Sequence, residues 1–363
     1  MKKFRVGIIG HGGRGNYGHQ LDQAFVNHKH AEIVAISDEN PKSGKIKSEE
    51  LNCKFYINYK EMLKREYLDI VVVAPRYTDI HYELVKEALL NNCHVLSEKP
   101  FVQSLSEADE LIKLAEERNL LIAVSLPFAY ESRYNQIMEI IQEGIIGEVN
   151  KLEGICKHDH RGGGEDFAIL GPHFSDMMIR ICGMPKKGYG IVTYNGKEIN
   201  ENNIIDGNEG LGPIAGDNIF AFYQFENGVI GTIESKKLDI SERPKQPYYL
   251  KIYGSRGILK VRAPYADHSI WIYPEPFVDL NSNAKWEKLT TDVISKYGDY
   301  QALVARDLIY SIQNGHRPKS SAQSFRLVME MLLTPYYCFN TNSIITYPIK
   351  DREHPLKRGV FLK

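Results

Sequence analysis

The chain has 363 residues, 43% of them hydrophobic, 25% charged and 10% aromatic, a soluble globular composition that excludes a disordered or collagen-like chain. At about 150 residues per domain this length predicts two domains. Lys+Arg 45 against Asp+Glu 46 leaves a net charge of −1, with no field for nucleic acid or an anionic membrane. The five cysteines, Cys53, Cys93, Cys156, Cys182 and Cys338, are widely spaced, without the pairing that marks a zinc site or disulfide framework. The apolar run behind Met1-Lys2-Lys3 stops at Gly10, too short for a signal peptide. No run approaches the about eighteen apolar residues of a membrane span, so a cytoplasmic location is expected.

In chain order, Phe4 to Ile9, Glu32 to Ser37, Ile70 to Ala74, His94 to Ser97 and Leu120 to Ser125 are β-branched, nearly continuous apolar runs, as strands buried on both faces require. Between them Ile80 to Leu90 and Ser104 to Arg118 carry apolar residues at helical spacing, the second opening on the capping box Ser104-Leu105-Ser106-Glu107. This alternation predicts an α/β Rossmann domain, a doubly wound parallel sheet, over 1–126. From 127 to 363 longer alternating strands predict an α+β substrate-binding and oligomerisation domain with a large open, mostly antiparallel sheet. Its hairpins turn at Asn227-Gly228 and at Gly254 to Gly257, and helices close it at Asp299–Asn314 and Ala322–Phe339.

Gly10-x-Gly12-x-x-Gly15, with Gly13 and Arg14 inside it, ends the first strand and is expected to open a helix whose free N–H groups face a pyrophosphate. Asp38 closes the second strand about twenty residues on, where a carboxylate accepts from ribose hydroxyls and repels a 2′-phosphate. The pair predicts NAD in preference to NADP, although Lys42 and Lys45 are placed to meet a phosphate. At the end of the fifth predicted strand Glu98-Lys99-Pro100 puts an ammonium at the carboxyl edge of the sheet, where it can hydrogen-bond a reacting oxygen. Lys157-His158-Asp159-His160-Arg161 reads as a strand with both histidines on one face. Two histidines fall short of the three or four ligands a metal needs, so no metal is expected. Gly162-Gly163-Gly164 reads as a mobile loop, and Pro172 as the first-turn residue of a helix that His173 opens.

Together, the glycine loop, Asp38, Ala74-Pro75 before Ile80-His81, Glu98-Lys99-Pro100, Gly144 to Val149, Gly171-Pro172-His173-Phe174-Ser175-Asp176 and Tyr253 to Gly257 resemble the Gfo/Idh/MocA family of nicotinamide-dependent oxidoreductases. The resemblance implies a dinucleotide held by Gly10, Gly12, Gly13, Arg14, Gly15, Asp38, Pro75, His81, Glu98 and Lys99, with an open sheet joining the subunits of a homo-oligomer. It implies an enzyme that moves hydride to or from a secondary hydroxyl of a sugar or cyclitol, with Lys99 on the oxygen and His173 as proton acceptor. Lys99, His158, His160, Asp166 and His173 would touch the substrate. The family's aspartate four residues before the histidine is Ile169 here. Asp166 would share a helical face with His173 at i, i+7 if Gly171-Pro172 did not interrupt the helix. Two other readings stand beside it: a redox-assisted glycoside hydrolase with tightly held NAD, as in some relatives, and a non-catalytic cofactor-binding regulator.

Overall fold

Six short strands, β1 (Phe4–Gly10), β2 (Ala31–Asp38), β3 (Lys54–Tyr56), β4 (Ile70–Val73), β5 (His94–Ser97) and β6 (Ile122–Val124), form one parallel sheet in the order β3-β2-β1-β4-β5-β6. They belong to a computed structural model that describes residues 3–239, 248–262, 269–274, 284–289 and 297–357. The strand order reverses between β1 and β4, which opens a ligand crevice at the carboxyl ends. Sequence periodicity finds five of the six strands. It misses β3, a three-residue edge strand whose residues are only partly covered.

Val6, Ile8, Ile36, Ile70, Val72 and Leu96 are all 0% exposed, each contributing roughly 1.5–3 kcal/mol by leaving water. Helices α1 (Pro41–Glu50), α2 (Tyr59–Arg65), α3 (His81–Leu90) and α4 (Leu105–Glu117) connect the strands. The side chain of Asn40 accepts from the Lys42 and Ser43 amides to cap α1, and Ser104 with Glu107 forms the expected capping box on α4. The chain divides into two units, and the first takes residues 1–130 together with 208–212 and 294–326. The later segment contains α7 (Tyr297–Asn314), whose Val304, Ala305, Leu308 and Ile309 join the apolar core of Val6, Ile8, Tyr17, Leu21 and Phe25.

The second unit holds α5 (Ser132–Gln142) and a ten-stranded sheet built from β7 (Val149–Ile155), β8 (Pro185–Tyr194), β9 (Lys197–Glu198), β12 (Asn218–Phe225), β13 (Ile230–Lys236), β14 (Tyr249–Gly254), β15 (Ile258–Arg262), β16 (Ile270–Tyr273), β17 (Glu287–Leu289) and β18 (Ile345–Thr346). Every pairing is antiparallel except β7 with β13. A separate two-stranded ribbon joins β10 (Ile204–Asp206) and β11 (Pro213–Ala215). Both predicted hairpins form, the first turning at Gly228 with φ +82.

Helix α6 (Gly164–Cys182) packs on this sheet where the strands carry glycines. A Cβ on Gly154 would lie 3.0 Å from Phe174, and one on Gly231 3.1 Å from Met178. Helix α8 (Ala322–Thr341) completes the elements, and Tyr223 donates to its Met331 carbonyl at 2.8 Å. Among the described residues no helix is long and apolar enough to cross a membrane.

Candidate active site

The glycine loop departs from expectation. After Gly10 no α-helix forms before β2; the segment is a series of turns with one short 3-10 stretch, Leu21–Gln23. Gly15, Asn16, Gly18 and Gln20 have φ of +80, +57, +53 and +59, and four left-handed residues in six cannot belong to a right-handed helix. The density of Gly and Asn after Gly12 is the sequence signal for this. Gly10 and Gly12 are obligatory for packing: a Cβ would lie 1.9 Å from the Tyr17 ring at Gly10 and 2.0 Å from Ser43 Oγ at Gly12. At Gly13 nothing lies closer than 3.8 Å, so the exposed backbone there has room for a ligand.

Asp38 is 1% exposed, and its oxygens are already filled. Oδ1 accepts from the amides of Gly12 at 3.0 Å and Asn40 at 2.9 Å, while Oδ2 accepts from the Gly12 amide at 2.9 Å and the Tyr17 hydroxyl at 2.6 Å. A carboxylate offers about four lone-pair sites, and these bonds use them. Sequence reading missed Tyr17. Burial and the Asp38 charge hold its phenol well above the ordinary value, so it remains a donor. A cleft of about 450 Å³ beside it is lined by Gly12, Tyr17, Asn40, Lys42 and Ser43. Arg14 is paired to Asp79 at 2.7 Å and lies 4.3 Å from the Tyr77 ring centroid.

At the other half of the sheet edge, Pro75 and His81 act as a clamp. His81 is 0% exposed, with Nε2 2.7 Å from the Pro75 carbonyl and Nδ1 2.9 Å from the Pro100 carbonyl. It ties the loop after β4 to the loop after β5. Lys99 is 7% exposed and joined to Pro100 by a cis peptide. Glu98 is 1% exposed; the His19 Nδ1 lies 2.6 Å from its Oε1, and its Oε2 has no partner among the described residues. Desolvation works against the Glu98 charge, but His19, Lys99 and His81 outweigh it and hold the carboxyl below its ordinary value.

In the second unit, α6 starts at Gly164 and continues through Pro172, so His173 sits inside the helix and does not open it. The continuity places Asp166 and His173 on one face, two turns apart. Both are buried, at 0% and 4% exposure. Asp166 Oδ2 accepts from the Lys157 amide at 3.2 Å, and its buried Oδ1 has no partner among the described residues. Burial first, then the nearby Asp159 charge, pushes its carboxyl up to about 6. Asp176 accepts from Arg180 Nε at 2.7 Å, and Ile169 is buried.

The two loop histidines do not share a face. Strand β7 ends at Ile155, and His158 takes φ +54; it is buried at 4% exposure, whereas the His160 side chain is 82% exposed. Burial lowers the His158 imidazole, whose Nε2 lies 3.4 Å from the Glu234 carbonyl. His160 instead lines a cavity of about 290 Å³ with Arg161, Glu165, Tyr194, Asn202 and Asp217, a cavity that neither Asp166 nor His173 lines.

The glycine triplet is a packed junction, not a mobile loop. All three residues are buried, and a Cβ would meet the Lys236 carbonyl oxygen at 2.0 Å from Gly162 and the Gly216 carbonyl oxygen at 2.3 Å from Gly163. Ser235 Oγ accepts from the Gly163 amide and donates to its carbonyl, so the close approach is fixed on both sides. Among the described residues no group of three or more His, Cys, Asp or Glu side chains is arranged to hold a metal ion.

Residues 4–126 match the family described as "Oxidoreductase family, NAD-binding Rossmann fold". Over 154 residues the chain is 27% identical to a dTDP-3,4-didehydro-2,6-dideoxy-alpha-D-glucose 3-reductase of Saccharopolyspora spinosa, covering 42% of this chain and 46% of the relative. It is 29% identical over 169 residues to a 2,7-anhydro-N-acetylneuraminate hydratase of Mediterraneibacter gnavus, covering 46% and 41%. The match thus spans less than half the length of these curated relatives. Solved structures share the fold along nearly the whole chain. Levoglucosan dehydrogenase in complex with NADH and levoglucosan superposes with a TM-score of 0.75 at 16% identity, over 96% of this chain and 100% of that one. An Agrobacterium radiobacter oxidoreductase in complex with NAD+, L-tartaric acid and magnesium gives 0.73 at 16% identity, over 95% and 98%.

Proposed function

From the match of residues 4–126 to the Gfo/Idh/MocA family model, we propose that this chain is an NAD-dependent enzyme transferring hydride between nicotinamide and a secondary hydroxyl of a sugar, cyclitol or sugar derivative. The observation that carries the reading is a buried lysine, Lys99, at the carboxyl end of β5 in a sheet ordered β3-β2-β1-β4-β5-β6. Residues 1–126 would serve the dinucleotide, and 127–363 the substrate and subunit association through the open face of the second sheet.

The residues fit a dinucleotide on two observations: open backbone at Gly13, and a buried carboxylate oxygen of Glu98 that still lacks a donor. At the adenosine end the fit needs one exchange, a ribose hydroxyl replacing the Tyr17 hydroxyl on Asp38 Oδ2. Arg14, the loop residue assigned to the pyrophosphate, is engaged with Asp79 at 2.7 Å. NAD, when bound, supplies the hydride acceptor. Lys99 donates to the substrate oxygen and stabilises the charge that grows on it as its proton leaves. His173 takes that proton; an imidazole suits the step because its unperturbed pKa of about 6.5 is close to working pH. Asp166, on the same helical face, takes the part of the aspartate that Ile169 displaces: its unpartnered Oδ1 receives a substrate hydroxyl or passes the proton on.

Thermal shift tests the cofactor. NAD should raise the melting temperature through RT ln(1 + [L]/Kd) and NADP less; equal shifts would remove Asp38 from its role. Lys99→Ala or His173→Ala should abolish turnover on a polyol and sugar panel while keeping the NAD shift. A variant with the parent rate would remove that residue from the mechanism. Release of reducing sugar without net NADH would instead identify the redox-assisted hydrolase.

A further inference from the structure

We propose that His19 is the positioning residue of Glu98-Lys99: it anchors the buried Glu98 carboxylate and so fixes the strand end that presents Lys99. The inference rests on the oxidoreductase reading only for the purpose that Lys99 serves.

The approach of His19 is built by unusual backbone. The left-handed residues Gly15, Asn16, Gly18 and Gln20 surround it, each a conformation that costs energy or demands glycine and persists only where neighbours enforce it. Gly18 is pressed against its target, since a Cβ there would lie 3.0 Å from both Glu98 Cγ and the Ala74 carbonyl oxygen. From the other side Gln301 of α7, 0% exposed, donates to the His19 carbonyl at 3.1 Å and accepts from Ser125 Oγ at 2.7 Å. The imidazole is therefore held at its own backbone and at Nδ1.

A purely structural contact would not need a carboxylate. Glu98 is fully buried, and burying a charge costs several kcal/mol unless it is paired and hydrogen-bonded. The groups that face it are His19 from the glycine-loop segment, Lys99 from its own strand end and His81 from α3. His81 already spans the Pro75 and Pro100 carbonyls. The Glu98 side-chain hydrogen bond is to His19, whose Nδ1 lies 2.6 Å from Oε1. With His19 removed, Glu98 has to take up a proton or turn toward water. Its amide stays bonded to the Val73 carbonyl at 2.9 Å, so the backbone is anchored and Lys99 feels the change through the Glu98 charge that faces its ammonium.

The experiment follows Lys99 directly by competitive labelling with an amine-reactive reagent, read by peptide mass spectrometry, in the full chain and in His19→Ala and His19→Gln. Lys47, held by Asp22 at 3.0 Å, is the internal control. His19→Ala should raise Lys99 labelling several-fold with Lys47 unchanged. Imidazole in the buffer should reverse the rise, and His19→Gln, whose amide still donates, should stay near the parent. In turnover His19→Ala should lower kcat by about tenfold or more with KM little changed, while Lys99→Ala abolishes it. Unchanged Lys99 labelling, or an equal rise at Lys47 and Lys99, overturns the inference. Absence of an NAD thermal shift in the parent chain would overturn the oxidoreductase reading, with the labelling result still deciding the role of His19.

Discussion

Asp38 shows how one residue type at one spacing can be legible while its surroundings are not. Its place after β2 follows from strand periodicity, but the Tyr17 hydroxyl that fills Oδ2 reaches it only through the left-handed turns of the glycine loop. Hydrogen bonds to charged groups contribute about 1.5–3 kcal/mol, so Tyr17→Phe should lower the melting temperature of the ligand-free chain. The same change should tighten NAD several-fold, because no hydroxyl then has to be displaced; calorimetric titration of both proteins checks this, and weaker binding would count against the exchange. Gly13→Ala offers the complement. With no atom within 3.8 Å of the added methyl, stability should stay within about 0.5 kcal/mol of the parent while NAD affinity falls.

Asp166 makes a pH prediction. Burial and the nearby Asp159 charge push its carboxyl up to about 6 in the folded chain from an ordinary 3.8, so between these values the folded state holds the extra proton. Stability contributed by that proton is present at low pH and lost as pH rises to about 6, by roughly 2–3 kcal/mol at most. Asp166→Asn removes the loss, and its melting temperature should exceed the parent's at pH 8 with the gap closing at pH 4. A gap independent of pH would show that the carboxyl ionises normally. Activity should disappear in the same variant if Oδ1 receives the substrate.

Among elements, those set by local rules were the most readable. The capping box on α4, the Asn-Gly hairpin and the buried strands all follow from composition and period. The start of α6 did not, because Gly171-Pro172 suggests an interruption that tertiary packing overrides. Gly171 lets Leu332 approach to 2.6 Å of where a Cβ would stand, and Phe174 and Met178 lock the helix onto the sheet glycines. The glycine triplet was misread for a related reason: sequence alone cannot distinguish glycine used for mobility from glycine used for contact. Gly162→Ala drives a methyl into the Lys236 carbonyl and should cost about 2–4 kcal/mol in urea denaturation. Near-parent stability would mean that the junction yields.

For the molecule as a whole, the alternation of strands and helices was enough to predict the doubly wound sheet, and the longer alternating strands that follow it the second one. The return of later segments to the first unit was not legible, since nothing in the helical period of α7 says which core it will complete. That return governs how the protein can be dissected. Recombinant residues 1–130 would lack the α7 surface that packs against Leu21–Gln23 and Pro127–Tyr130, leaving Leu21 and Phe25 bare to water. Such a fragment should aggregate or bind a hydrophobic dye, and a peptide of residues 297–326 supplied in trans should restore its solubility. The nucleotide-binding half therefore becomes a finished object only after most of the chain has left the ribosome, and cofactor capture during synthesis has to wait for α7.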